Sequence, residues 1–559
     1  MKFTIAVASL LLSWTIVRAV RIPTADTLNG TYTGIYSEAY NQDFFLGVPY
    51  ATPPLADLRF KPPQSLNTTI NGTRAATSYG TRCVGYGSSN LAESMSEDCL
   101  YLNIIRPSTN TSAINGSLPV AFWIHGGGFW EGSSDDPRYN LSFIVQQSVE
   151  VGQPMLAVSL NYRLSVWGFL YSNSIAGSGD TNVGLKDQRL ALQWIQDNIS
   201  GFGGDPTKVT IWGQGAGAVS VGLQLTAYGG DNEGLFRAAI MQSGGPIAYQ
   251  GFNSTQFYQP LYDGIVNSVQ PSSAYAEEYG LSINGTCGAA IDGLSCLQTA
   301  SFDDLNAAIN STGSKSWFPV IDGSFLPMAP SQMLVNPTFA FAKVPILIGA
   351  NTDEGAYFTP DSITTHADFV ELTLVTELVA AYSDGNCNIS SVNVTSCGTQ
   401  GNSAWHKAAT YLGDAAIIAP RRATARAFTH TLPSYSYRFN ATPYGQTSAT
   451  HGQEIPFVFN NIDGYGYDTN PFTDKPQSYY DLADFMSKTW VSFIATMDPN
   501  AWRSGNSSQP TWLEYVFTVA NEFVFEGNGT YYIETDTYRA IGTRAINGGT
   551  EEIGIAYQR

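Results

Sequence analysis

Positive charge is scarce in this sequence. Lys and Arg number 27 against 46 Asp and Glu, and the formal net charge is −19 with His neutral. A chain this acidic repels a phosphate backbone, so nucleic acid is not an expected partner. Cysteine is scarce too, six in 559 residues, and none falls in a CxxC pair or a Cys/His cluster. No metal and no cofactor is therefore expected. No stretch is dominated by Pro, Ser or Gly, no charge run is long, and no fixed-period repeat occurs. Length alone would permit three or four domains of roughly 150 residues each. Without a linker to divide them, one large domain over residues 20–559 is the expectation. At the C-terminus, Ala556-Tyr557-Gln558-Arg559 carries no apolar tail for a lipid anchor and no retention signal.

What is present points to export. Lys2 is a charged n-region, Phe3 to Val17 an apolar h-region, and Val17-Arg18-Ala19 supplies small residues for cleavage. Residues 1–19 read as a secretory signal. The run falls short of the ~20 apolar residues that span a bilayer, so no membrane anchor is expected. Fifteen Asn-x-Ser/Thr sequons follow: Asn29, Asn67, Asn71, Asn110, Asn115, Asn140, Asn198, Asn253, Asn284, Asn310, Asn388, Asn393, Asn440, Asn506 and Asn528. In an exported chain they are expected to carry glycans on surface loops. Six cysteines allow fifteen pairings. Their close spacing in couples favours Cys83–Cys99, Cys287–Cys296 and Cys387–Cys397.

With 43% hydrophobic residues, the chain can bury a large core. Val120 to Ile124 is a continuous apolar run, and Met155 to Leu160 and Val209 to Trp212 are runs broken only by Ser159 and Thr210. Such runs suit strands covered on both faces of a mostly parallel sheet. Between the last two, Val183 to Ile199 places Leu185, Leu190, Leu192 and Ile195 at helical spacing. Ala216 to Leu225 reads as another helix. Alternating strands and helices predict an α/β fold.

Gly213-Gln214-Gly215-Ala216-Gly217 closes a predicted strand and opens a predicted helix. That is the setting of the nucleophile elbow, written G-x-S-x-G, whose flanking glycines permit a tight, strained turn. Here the central position is Gly215, which has no side chain. Around it stand Phe202-Gly203-Gly204-Asp205-Pro206, Asn161-Tyr162-Arg163, Trp167-Gly168-Phe169-Leu170 and Met241-Gln242-Ser243-Gly244-Gly245-Pro246. Nearer the N-terminus come Gly47-Val48-Pro49-Tyr50-Ala51, Leu58-Arg59-Phe60 and Ser96-Glu97-Asp98-Cys99-Leu100-Tyr101-Leu102-Asn103.

Together, from about Thr33 to beyond Phe459, these motifs closely resemble the type-B carboxylesterase/lipase family, which includes cholinesterases and fungal lipases. The resemblance implies an α/β-hydrolase fold. It also implies roles. His125-Gly126-Gly127-Gly128-Phe129 looks like the oxyanion loop, with Gly127, Gly128 and Ala216 as backbone N–H donors. Ile348 to Gly355 looks like the acid-bearing strand end, with Glu354 as the triad acid. His451-Gly452-Gln453-Glu454-Ile455-Pro456-Phe457 looks like the histidine loop, with His451 as the base. Arg59 and Glu97 correspond to an ion pair of the family, near Cys83–Cys99. Gln214 stands where many relatives carry Glu.

Gly215 departs from the family pattern. Without an oxygen there, no acyl-enzyme forms. Ser220 and Ser243 are the neighbours that could substitute, and neither lies at the elbow in sequence. The resemblance then suggests a fold kept for binding. The expected ligand is a small apolar or aromatic molecule. The expected partner is a laccase-type oxidase, in a dirigent-like role in fungal phenol coupling of the viriditoxin type. The alternatives are a serine-independent enzyme using His451 and Glu354, or a carboxylic ester hydrolase if glycine is not the natural residue at 215.

Overall fold

The computed structural model describes residues 21–69, 72–88, 94–108, 116–247, 255–282, 285–311, 317–335, 341–373, 382, 403–429, 432–503 and 509–547. The expected signal segment, Cys387 and Cys397, and the sequons at Asn71, Asn110, Asn115, Asn253, Asn284, Asn388, Asn393 and Asn506 lie outside these residues.

The apolar runs form the centre of an eleven-stranded sheet. In chain order its strands are β1 (Ile35–Ser37), β2 (Gln42–Pro49), β3 (Tyr101–Pro107), β4 (Leu118–Ile124), β5 (Leu156–Leu160) and β6 (Gly204–Gln214). They continue as β7 (Ala238–Gln242), β8 (Ile346–Asn351), β9 (Ser434–Asn440), β10 (Asn521–Glu526) and β11 (Tyr531–Thr535). The spatial order is β11-β10-β9-β8-β7-β6-β4-β5-β3-β2-β1. Strands β5, β4, β6, β7, β8, β9 and β10 run parallel, and antiparallel strands complete both edges. This is the expected large, mostly parallel sheet.

Alternation along the strands explains why the runs are apolar but for Ser159 and Thr210. Side chains of a strand point to opposite faces in turn. Val120, Phe122 and Ile124 of β4 join one core, with Leu185, Leu192 and Ile195 of helix α2 (Val183–Asn198). Ala121 and Trp123 join a second core on the other face, with Ile144 and Val145 of helix α1 (Leu141–Glu150). Each strand is covered twice, so a polar side chain is buried on either face and needs a partner there, as Ser159 finds in Asn103 Nδ2 at 3.2 Å. Strand β6 starts earlier than the expected Val209. Gly204 pairs with Leu118, and regular pairing resumes at Val209–Val120 after a register shift. The apolar pattern marks only the regular part.

Two predicted disulfides are present, Cys83–Cys99 and Cys287–Cys296. The ion pair beside the first also forms. Arg59 Nε lies 2.6 Å from Glu97 Oε1 and Nη2 2.8 Å from Oε2, a two-pronged contact. Its Nη1 donates to the carbonyls of Leu297, Gln298 and Ala300, tying the loop of the second disulfide to the first.

One sequon corrects the glycan expectation. Asn198 is buried at the end of α2, where Oδ1 accepts from Leu28 N at 2.8 Å and Nδ2 donates to Trp194 O at 3.0 Å. A glycan cannot be carried on a carboxamide so enclosed. Asn67, Asn310 and Asn528 are exposed. Among the described residues no helix is long and apolar enough to cross a membrane.

Candidate functional site

The carboxyl ends of neighbouring parallel strands converge on one place, where ligands of open α/β sheets generally bind. Gly126, Gly127 and Gly128 follow β4, Gly215 follows β6 and Ser243 follows β7. Glu354 follows β8, and His451 lies in the loop after β9.

Strand β6 passes directly into helix α3 (Ala216–Thr226) through Gly215, with φ 57° and ψ −123°. Residues with a Cβ rarely hold that conformation. The flanking Gly217 has a different reason. A Cβ there would lie 2.0 Å from the Ile124 carbonyl oxygen, so a larger residue would push α3 off β4. The turn is fixed by Gly215 N donating to Gln242 O and Val219 N donating to Gly215 O, both at 2.9 Å.

Glu354 and His451, far apart in sequence, meet. His451 Nδ1 lies 2.7 Å from Glu354 Oε2, and the carboxylate is fully buried. The other oxygen, Oε1, accepts from Asn351 N at 2.7 Å. Asn351 also donates through Nδ2 to Thr450 O at 2.6 Å and to Glu454 Oε2 at 2.7 Å. This asparagine therefore locks the acid strand to the histidine loop. Burial pushes the His451 imidazolium pKa down, but the Glu354 carboxylate in contact and Glu454 nearby outweigh it. The net direction is upward from the ordinary value.

The far ring nitrogen decides what the site can do. His451 Nε2 faces Gly215, and a Cβ built there would lie 3.1 Å from it. Its hydrogen-bond partner is Gln214 Nε2, also at 3.1 Å. With the Nδ1 proton directed to Glu354, Nε2 accepts from the Gln214 amide. The ring also packs against Phe358, at 4.9 Å between centroids, and Tyr357, at 5.7 Å.

The glycine loop after β4 is held from behind. Tyr162 donates its hydroxyl to His125 O at 3.0 Å and stacks on the His125 ring at 4.5 Å. Burial lowers the His125 pKa to about 4, so this ring is neutral scaffolding at neutral pH. Arg163, from the same motif, grips buried Asp187 through Nε at 2.8 Å and Nη2 at 2.6 Å.

Gly127, Gly128, Gln214, Gly215, Ala216 and His451 all line one cavity of about 880 Å³. Glu354 stands behind His451 and is not in its wall. Aromatic side chains supply much of the remaining wall, among them Phe129, Trp130, Phe318, Tyr357, Phe358 and Tyr444. The two substitute serines are separated by the fold. Ser220 is buried on α3 and accepts from Gln188 Nε2 at 3.0 Å. Ser243 reaches the cavity wall with φ 53°, but its hydroxyl is buried and has no hydrogen-bond partner among the described residues.

Two residues of the site went unassigned from sequence. Asn351 is one. The other is Glu454, a buried carboxylate held by Asn351 and by Gln242 Nε2 at 3.1 Å. Burial and then the Glu354 charge raise its pKa. A signal existed: a carboxylate beside the apolar run Ile455-Pro456-Phe457 is rarely buried without partners.

Known proteins agree with this architecture. The carboxylesterase family pattern matches residues 17–536. A secreted lipase of Botryotinia fuckeliana is 33% identical, over 88% of this chain and 87% of its own. A secreted triacylglycerol lipase of Gibberella zeae is 31% identical, over 89% of this chain and 86% of its own. Among solved structures, a PNB esterase superposes with a TM-score of 0.70 at 27% identity, covering 92% of this chain and 97% of the esterase. Sheet order, strand-end site and these likenesses converge: the chain belongs to the carboxylesterase family.

Proposed function

We propose that this chain uses the carboxylesterase fold to hold a small apolar or aromatic molecule without forming an acyl-enzyme. One observation carries the reading. The turn opposite His451 Nε2 is occupied by Gly215, and the nitrogen is taken up by Gln214 instead of a hydroxyl. Covalent acyl transfer needs a nucleophile there. Removing it from a comparable triad costs about a millionfold in turnover. A cavity of about 880 Å³ with aromatic walls suits a small organic ligand.

Secretion is part of the proposal. It is supported by the apolar N-terminal segment, the two disulfides and relatives named as secreted lipases. In its fullest form the protein is a dirigent-like helper for a laccase-type oxidase in fungal secondary metabolism, steering the stereochemistry of phenol coupling. The test is a coupling reaction with oxidase alone, protein alone, and both. A changed enantiomer ratio only in the mixture supports the helper. Turnover by the protein alone overturns it.

That last outcome is the second reading, a serine-independent enzyme. The His451–Glu354 contact at 2.7 Å favours it. Such a pair can move a proton in a cyclisation, elimination or water attack. Gly127, Gly128 and Ala216 would supply N–H groups to a developing oxyanion. Hydrolysis of ordinary carboxylic esters becomes the reading only with a serine at 215.

A further inference from the structure

Gly215 opens the cavity wall in a way that four nearby glycines do not. A Cβ on Gly213, Gly217, Gly126 or Gly127 would meet backbone atoms at 2.4, 2.0, 2.6 and 2.2 Å respectively. Those residues are glycine because main chain presses on them. At Gly215 a Cβ meets only the His451 ring, with Nε2 at 3.1 Å and Cε1 at 3.6 Å. Beyond its chain neighbours no other atom lies within 4 Å of that point. Gly215, Gln214, Ala216 and His451 all line the cavity, so this notch opens onto it.

The notch offers both halves of a hydrogen-bonding site. With the Nδ1 proton directed to Glu354, His451 Nε2 is an acceptor with a single lone pair. Ala216 N, at the head of α3, donates to no acceptor among the described residues. Gln214 Nε2 reaches the same lone pair at 3.1 Å, near the long end of hydrogen-bonding distances. A hydroxyl is donor and acceptor at once. In the notch it donates to His451 Nε2 and accepts from Ala216 N and from the displaced Gln214 amide, so every group keeps a partner. An ether or a carboxylate only accepts and leaves Nε2 without a donor. Contact with Gly215 Cα sets the ligand oxygen back toward the cavity from where a seryl oxygen would sit. Beyond the notch the wall is apolar, with Val219 and Leu223 further along α3 and the Phe358 ring 4.9 Å from that of His451.

We propose that the notch at Gly215 is a subsite for the hydroxyl of an aromatic ligand, a phenol, which donates to His451 Nε2. The inference rests on the binding reading above and names the group by which the ligand is held. It also gives glycine a role at 215, because any side chain there would fill the space that the ligand oxygen enters. No covalent bond forms. The hydroxyl exchanges water for fixed partners, and the attached ring meets the apolar wall.

The experiment uses the purified full-length protein and three probes on one ring system. 2-Naphthol carries the hydroxyl, 2-methylnaphthalene has the same outline without it, and 2-methoxynaphthalene accepts but cannot donate. Binding is read by calorimetry and by quenching of tryptophan fluorescence, Trp130 lying in the cavity wall. 2-Naphthol should bind more tightly than either of the others. Its affinity relative to 2-methylnaphthalene should fall at least about fivefold in Gly215→Ala, whose methyl fills the notch, and in His451→Leu, which removes the acceptor. His451→Leu reports even if Gly215→Ala folds poorly at its positive φ. A ratio that neither substitution changes places the hydroxyl elsewhere and refutes the subsite. So does 2-methoxynaphthalene binding as tightly as 2-naphthol, since the notch then asks only for an acceptor. In both cases the probes still bind, and the binding reading stands. If none of the three binds, that reading falls together with the subsite.

Discussion

His451 Nε2 and Gln214 Nε2 lie 3.1 Å apart, and this contact joins residues 237 positions apart in the chain. The glutamine occupies the hydrogen-bonding position at Nε2 that a nucleophilic hydroxyl takes in a working triad. The His451–Glu354 contact at 2.7 Å thus stands beside a turn whose central residue, Gly215, has no side chain.

The first prediction concerns Gly215. The native protein should resist fluorophosphonate labelling and leave p-nitrophenyl butyrate uncleaved above background. Gly215→Ser should introduce slow hydrolysis that His451→Ala abolishes. Recovery will be partial, since the new Cβ lies 3.1 Å from Nε2 and the ring must withdraw slightly. A misplacement of about 1 Å can cost a hundredfold. The backbone at φ 57° should also lower stability by ~1–3 kcal/mol, read from the denaturant midpoint. Rapid, inhibitor-sensitive turnover by the native protein would falsify the silent-site reading and direct attention to Ser243.

Gln214→Glu should raise the His451 pKa further. A carboxylate beside Nε2 favours the imidazolium, as Glu354 already does at Nδ1. The check is the pH dependence of diethylpyrocarbonate modification at His451, followed by peptide mass spectrometry. The midpoint should move up; no movement means that residue 214 does not face the ring in solution.

His451 also predicts a pH-dependent stability. Its folded pKa lies above the ordinary value of ~6.5, which stands for the unfolded chain. Its contribution is therefore fully present below about pH 6.5 and is lost as pH rises through the folded pKa. The stability difference between wild type and His451→Gln should be larger at about pH 5 than at pH 8. A difference that grows with pH would mean that folding lowers the His451 pKa instead of raising it.

Glu97→Ala should destabilise the protein by about 3 kcal/mol, the lower end for breaking a buried ion pair. The two side chains are only 7% and 9% exposed, but Arg59 keeps three carbonyl partners. Replacing both residues, Arg59→Met with Glu97→Leu, should cost less than Glu97→Ala alone, because no charge is left unpaired. Denaturant titration with the disulfides intact measures both.

Glycan mapping should find Asn198 unmodified and Asn67, Asn310 and Asn528 accessible to modification. Enzymatic deglycosylation in water enriched in the heavy oxygen isotope, followed by mass spectrometry, marks each occupied asparagine. Heavy isotope at Asn198 in folded protein would contradict its burial. Asn198→Ala should cost about 0.5–1.5 kcal/mol, the net worth of the hydrogen bond that Leu28 N would lose.

Much of the fold was legible because it is written in near neighbours. The runs at Val120–Ile124, Leu156–Leu160 and Val209–Trp212 are apolar except at Ser159 and Thr210 because helices cover both faces of the sheet. The turn at Gly213–Gly217 was legible as a five-residue pattern, and its Gly215 answers a local demand, a positive φ, whereas the approach of Gly217 to Ile124 is set by packing. The cysteine couples at Cys83–Cys99 and Cys287–Cys296 lie close along the chain, so spacing alone favoured them.

Other features depend on which distant segments pack together, and no short window of sequence carries that. A sequon is a three-residue pattern, blind to the packing that encloses Asn198. Asn351 and Glu454 acquire their roles only when the β8 end and the histidine loop meet. Buried Arg421 and Arg422 find Asp536 more than a hundred residues away, each at 2.6 Å. The sheet, the elbow and the absent side chain at 215 could be read from residue order, because backbone pattern and turn chemistry are local. That Gln214 meets His451 and that Asn351 joins Glu454 emerges only from the folded chain, because hydrogen-bond partners are chosen by proximity in space.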